Sequence, residues 1–139
     1  LSTENAEILL LTHGGWGEKL IESMKMILGD TPRVSEIALT ANETFQEFYE
    51  KVENKVSQLA DNSVIMTDLY GGTTSNVSAK LSQLYKIRVI SGLNAPMLLE
   101  AISSIDSLES EETIERIVSS AQNGCKDVIK LLEKAMNKN

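Results

Sequence analysis

The sequence predicts an α/β fold, doubly wound, with a mainly parallel four-stranded sheet flanked by helices. Three observations carry this expectation. Short apolar runs recur along the chain, stretches of helical periodicity about a dozen residues long separate them, and glycine-bearing turns follow several of the runs. Connections of that length return the chain right-handedly to a parallel neighbour and cover both faces of the sheet.

Ala6 to Thr12 (AEILLLT) is almost wholly apolar and ends at His13-Gly14-Gly15, the pattern of a strand buried on both faces. From Trp16 to Leu28, residues Leu20, Ile21, Met24, Ile27 and Leu28 recur at helical spacing, and Gly29 ends the helix. Val34 to Leu39 (VSEIAL) reads as a second strand, nearer an edge because Ser35 and Glu36 are polar. Asn42 offers a cap for the next helix. Its stripe of Phe45, Phe48, Tyr49, Val52, Val56 and Leu59 is expected in the core, and the helix ends near Asp61-Asn62.

Ser63 to Thr67 (SVIMT) is a third strand running into Asp68-Leu69-Tyr70-Gly71-Gly72, and Thr73 to Tyr85 resumes the helical pattern. Ile87 to Ile90 is the fourth strand. Asn94-Ala95-Pro96 opens a helix through Ile102, with Pro96 tolerated in the first turn. Glu111 to Gln122 carries Ile114, Ile117, Val118 and Ala121 at helical spacing before Gly124. Asp127 to Leu132 is open between two readings: the pairs Val128-Ile129 and Leu131-Leu132 suit a helix, and the length also suits a short strand. No repeat and no linker rich in Pro, Gly or Ser divides the chain, so residues 1–139 read as one domain, with a core over about 6–122 and a C-terminal segment 124–139.

Composition excludes several classes of function. The formal charge of −7, from 20 acidic against 13 basic side chains without a Lys/Arg cluster, argues against nucleic acid as a partner. Cys125, alone of its kind, makes no internal disulfide and no Cys-based zinc site; it fits a reducing cytoplasm and reads as a small, partly buried apolar residue. No apolar run approaches the ~20 residues of a membrane-spanning helix. His13 is the one histidine, so a metal site built on two histidines of this chain is impossible.

In doubly wound sheets chemistry gathers beyond the carboxyl ends of the strands, near the point where strand order reverses. The first strand ends at Thr12-His13-Gly14-Gly15 and the third at Thr67-Asp68, with Gly71-Gly72-Thr73-Thr74 beyond, so an imidazole, a carboxylate and two glycine-bearing turns are expected at one crevice. A neutral imidazole nitrogen is a nucleophile near neutral pH. A carboxylate on the other ring N–H fixes the tautomer and supports positive charge on the ring, a role for which Asp68 is the candidate. Helix N-termini suit a phosphoryl group, and Gly14, Gly15, Gly71 and Gly72 let it approach closely. Thr12, Thr73 and Thr74 offer hydroxyl donors.

At these residues the chain resembles the IIA component of the mannose/fructose/sorbose family of the sugar phosphotransferase system. ILLLTHGGWGEKLIESMKMILG is similar to that family's strand, Thr/Ser-His-Gly turn and helix; VIMTDLYGGTTSNVSAKL to its strand ending in Asp before a Gly-Gly-Ser/Thr turn; VISGLNAPMLLEAI to its strand-Gly-x-Asn-x-Pro-Met-Leu segment. The resemblance implies that His13 is phosphorylated on Nε2, receives its phosphoryl group from the phosphocarrier protein HPr and passes it to a histidine of the IIB component. It leaves Nδ1–H for Asp68 and places Thr12 and Thr73 among the hydroxyls lining the site. Thr74 stands where many relatives have proline, and Gly15 where relatives vary.

The resemblance further implies a cytoplasmic homodimer that meets the membrane components IIC and IID only indirectly, with no metal and no cofactor. Some members exchange a short antiparallel C-terminal strand between subunits, which makes Asp127 to Leu132 a strand. A partner that keeps water from the phosphoryl group needs an apolar rim around His13, for which Trp16, Leu69, Tyr70 and Met97 are the candidates. Three other functions compete. One is the related phosphohistidine domain that feeds dihydroxyacetone kinase, whose turn has Ser-His-Ser where this chain has Thr12-His13-Gly14. Another is a hydrolase or mutase releasing phosphate from His13 to water, although no arginine adjoins His13. The third is a flavodoxin-like binding module without catalysis.

Overall fold

The run from Ile8 to Leu11 is fully buried, and it forms the spine of the fold. The structure is a computed structural model and describes residues 5–137. Its strands are β1 (Ile8–His13), β2 (Val34–Leu39), β3 (Ser63–Thr67) and β4 (Ile87–Ser91). They make one sheet in the order β2-β1-β3-β4, with every neighbouring pair parallel. The helices are α1 (Gly17–Leu28), α2 (Phe45–Val56), α3 (Thr73–Leu81), α4 (Ala95–Ser103), α5 (Glu111–Asn123) and α6 (Val128–Met136).

Side chains alternate along a strand, so β1 supplies two cores at once. Ile8 and Leu10 pack with Val64, Met66 and the helical residues Ile21, Met24, Leu98 and Ile117 on the face covered by α1, α4 and α5. Leu9, Leu11 and Ile65 pack with Phe48, Val52, Val77 and Leu81 on the face covered by α2 and α3. The doubly wound α/β expectation holds, and β2 is the edge strand its polar residues suggested. The chain leaves β1 toward β2 in one direction, whereas β3 and β4 lie in the other, so strand order reverses between β1 and β3. The carboxyl ends of those two strands are where the fold opens a crevice.

Three sequence expectations need correction. The cap of α2 is Thr44: its hydroxyl accepts from Glu47 N–H while the Glu47 side chain accepts from Thr44 N–H, a reciprocal capping box. Asn42 lies two residues too early, inside the bend closed by Glu43 N–H on the Thr40 carbonyl at 3.2 Å. The second and third concern the C-terminal segment. Asp127 accepts from Lys130 N–H at 3.0 Å and starts α6, so 127–132 leads into a helix and adds no fifth strand. Cys125 is exposed because it sits on the link between α5 and α6, away from the sheet. Among the described residues no helix is long and apolar enough to cross a membrane.

The two cores set expectations for stability. Phe48→Ala, at a fully buried ring, is expected to cost about 3–5 kcal/mol. Met26→Ala, on the 89% exposed side of α1, is expected to stay within about 0.5 kcal/mol. Urea unfolding of the two variants beside the parent chain measures both, and similar losses would contradict the assignment of faces.

Candidate functional site

His13 is the last residue of β1 and Asp68 the first beyond β3, and the parallel pairing of these strands sets them side by side. Asp68 N–H continues the ladder by donating to the Leu11 carbonyl at 3.1 Å. Asp68 Oδ2 then accepts from the His13 backbone N–H at 2.6 Å and lies 2.9 Å from His13 Nδ1. Its Oδ1 accepts from Leu69 N–H at 3.0 Å and from the Thr74 hydroxyl at 2.8 Å. An ionised carboxylate can only accept, so Nδ1 carries the ring proton and Nε2 keeps a free lone pair. The His13 side chain is 44% exposed and that of Asp68 only 5%, so the imidazole reaches solvent while the carboxylate beside it is covered.

Burial alone pushes the Asp68 carboxyl up. The hydrogen bonds from His13 N–H, the His13 ring and the Thr74 hydroxyl, with the charge of the His13 ring when it is protonated, outweigh it and hold the group below its ordinary value.

The two turns beyond the strands do different work. Gly14 and Gly15 both have positive φ, 78° and 89°, so the chain leaves β1 through conformations that side chains disfavour. Gly72, with an ordinary φ of −92°, borders the His13 ring instead, and an added Cβ would be in ordinary van der Waals contact with it. A Cβ there would stand 3.5 Å from His13 Cε1 and 3.9 Å from Nε2, filling the room beside the lone pair. Gly72 is also the cap of α3 and supplies no side-chain hydrogen bond, so no side chain of the cap covers the helix start beside His13. Thr73 joins His13 and Gly14 in lining a cleft of about 500 Å³ with Leu39, Thr40, Ala41, Glu43 and Phe45.

Thr12 is not brought to this cleft. Alternation along β1 turns it to the α1 face, where it is fully buried and its hydroxyl donates to Glu36. Met97 is also absent from the rim, since its side chain is 1% exposed and belongs to the core under α4. Trp16, Leu69 and Tyr70 are exposed at 43%, 59% and 90%. The helix start at Gly17 follows Trp16, which makes no side-chain cap bond. Glu36 from the neighbouring strand serves it instead, accepting from Gly17 N–H at 2.6 Å and Glu18 N–H at 3.1 Å.

Two residues of this region, Phe45 and Glu36, are not among the site residues the sequence points to, and Thr74 takes a partner of its own. Thr74, expected as a hydroxyl donor at the site, donates to Asp68 Oδ1. Phe45 belongs to the apolar stripe of α2 but is 43% exposed, stacking on Tyr49 with ring centroids 6.2 Å apart and lining the cleft. Glu36 read as an edge-strand polar residue; the available signal was its place between Val34 and Ala38 on a face that is otherwise apolar. Among the described residues no group of three or more His, Cys, Asp and Glu side chains is placed to hold a metal ion.

Comparison with known proteins gives a consistent picture. The sequence profile of the family described as PTS system fructose IIA component matches residues 7–118. A sorbose-specific EIIA component of Lacticaseibacillus casei is 28% identical over 114 residues, 81% of this chain and 83% of that protein. A mannose-specific EIIAB component of Escherichia coli K12 is 28% identical over 135 residues, and this alignment takes in 92% of the chain but 41% of that protein. Among solved structures, the phosphotransferase system component EIIA from Streptococcus agalactiae superposes with a TM-score of 0.82 at 29% identity, covering 90% of this chain and 98% of that one. The PTS IIA protein associated with the fucose utilization operon of Streptococcus pneumoniae gives 0.82 at 30% identity, covering 95% and 99%.

A carboxyl whose pKa is depressed in the folded state adds stability that is present above its unfolded value and lost as pH falls through the folded one. Asp68→Asn is therefore expected to be less stable than the parent at neutral pH, with the gap closing as the pH drops below about 4. Urea midpoints of both proteins from about pH 7 to about pH 3 measure the gap; a gap that widens in acid would remove the assignment.

Proposed function

We propose, from the premise that the chain belongs to the family of phosphotransferase-system fructose IIA components, that it is a phosphohistidine carrier in sugar uptake. His13 accepts a phosphoryl group on Nε2 from phospho-HPr and passes it to a IIB component, which hands it on through the membrane components IIC and IID. The observation that carries this reading is the single lone pair at Nε2, left by the Asp68 contact on Nδ1 and placed beside the start of α3.

The Nε2 lone pair attacks phosphorus as the bond to the donor imidazole breaks, and the donor ring leaves neutral. The loaded His13 ring keeps its Nδ1 proton and carries positive charge, which the Asp68 carboxylate offsets. Gly14, Gly71 and Gly72 leave the phosphoryl oxygens room, and the first backbone N–H groups of α3 with the Thr73 hydroxyl supply donors. Transfer between two histidines is close to thermoneutral, so alignment and charge stabilisation are the main demands. The partner's imidazole enters through the cleft between His13 and Phe45, and Trp16, Leu69 and Tyr70 form the rim that it covers.

A cytoplasmic homodimer is part of this proposal. The support is α6, whose Val128, Ile129, Leu131, Leu132 and Met136 are all exposed; an apolar face of that kind marks an interaction surface. The reading as a feeder of dihydroxyacetone kinase is not favoured, since the relatives carry sorbose-, mannose- and fructose-specific names.

Incubation with phosphoenolpyruvate, enzyme I and HPr is expected to place one acid-labile, base-stable phosphoryl group on His13, seen by mass spectrometry and absent in His13→Ala. Failure of the parent chain to gain it would sink the proposal. Asp68→Asn is expected to fold and to slow the transfer at least about tenfold, as loss of a partner that orients a reactive imidazole does. Gly72→Ala is expected to fold with near-parental stability and yet to load poorly, because the added methyl takes the space beside Nε2. Rapid-quench loading kinetics measure both variants, and a parental rate for Gly72→Ala would move the phosphoryl group elsewhere.

A further inference from the structure

Building on the phosphohistidine reading, we infer that Glu36 is a positioning residue for the His13 turn: its carboxylate closes the start of α1 to anions, leaving the start of α3 as the cradle of the phosphoryl group. Glu36 pairs with Leu10 in the β1–β2 register and points to the α1 face. Its Oε2 accepts from Gly17 N–H at 2.6 Å and from the Thr12 hydroxyl, and its Oε1 accepts from Glu18 N–H at 3.1 Å. Gly17 and Glu18 open α1, so these are donors that a helix leaves unpaired and that an anion seeks.

Gly17 carries the same message from the other side. Glycine is a poor helix former, and its presence here is explained by the carboxylate: a Cβ would overlap Glu36 Oε2 and stand 2.9 Å from Cδ. Thr12 precedes His13 and Gly17 follows Trp16, so Glu36 grips the turn at both ends. The start of α3 is built the opposite way, with no side-chain cap bond at Gly72 and no acidic residue in the first turn. A phosphoryl dianion near His13 therefore meets a helix start whose amides a carboxylate has taken on one side, and on the other a start with no side-chain cap bond, where Asp68 holds only the Thr74 hydroxyl.

The test uses Glu36→Ala, Glu36→Gln and Gly17→Ala, loaded from phospho-HPr with kcat and KM measured separately, and inorganic phosphate as a probe in amide NMR spectra. In Glu36→Ala and Gly17→Ala, kcat is expected to fall about tenfold to a hundredfold while KM for phospho-HPr stays unchanged, because the turn shifts and the docking rim does not. Glu36→Gln is expected to fall between, since its amide oxygen still accepts from Gly17 N–H. Phosphate is expected to move the amide signals of Gly17 and Glu18 in Glu36→Ala and to leave them in place in the parent.

A lowered thermal midpoint with parental kcat and no phosphate response at Gly17 and Glu18 would overturn the inference, reducing Glu36 to a structural cap. If Glu36→Ala fails to fold, Glu36→Gln carries both measurements, and parental values in it overturn the inference equally. A parent chain that takes no phosphoryl group overturns the carrier reading instead, and the phosphate titration still tests Glu36 by itself.

Discussion

A single oxygen atom joins the two halves of this site. Asp68 Oδ2 receives both the backbone N–H and the ring of His13, so the end of β1 and the residue beyond β3 are tied at their point of closest approach. The rest of the architecture serves that tie. The parallel register of β1 and β3 brings Asp68 within one residue of His13, and the fully buried run from Ile8 to Leu11 holds β1 against both layers of helices. With no freedom in the strands, the imidazole has little freedom of its own.

The two helix starts nearest this tie have opposite character. At α1 a strand side chain supplies the capping carboxylate that Trp16 does not, and the helix begins on a glycine that makes room for it. At α3 the cap is a glycine without a side chain to offer, and the room beside it is the room next to His13 Nε2. Local sequence alone would rank both starts as similar anion sites, since each follows a pair of glycines. The difference comes from β2, which is more than a dozen residues distant from either turn in sequence.

Much of the fold was legible because its signals are local or periodic. The four apolar runs became the four strands, and Asn94 with Pro96 opened α4 where their chemistry says a helix begins. His13 and Asp68 were legible together because each ends an apolar run, and a parallel sheet gathers such ends at one edge. What escaped was set by side-chain direction and tertiary contact. Thr12 neighbours His13 in sequence, yet the two-residue period of a strand sends it to the opposite face. Thr74 and Glu36 act through partners that no local pattern names, and Phe45 looked like core until the first turn of α2 was seen to overhang the cleft. The segment from 127 reads in sequence as helix or as strand, and the cap that Asp127 supplies decides for the helix.

The occupancy of the Asp68 carboxylate has a consequence of its own. Its oxygens take two donors each, from His13 twice, Leu69 and Thr74, so the chain itself fills the lone pairs that an incoming molecule would use. Such a group is a fixed counter-charge and a poor shuttle for protons. The hydrogen on Nδ1 has an acceptor that nothing else competes for, so the ring is held from one edge and left open at the other. A site held in this manner presents one fixed face to whatever approaches.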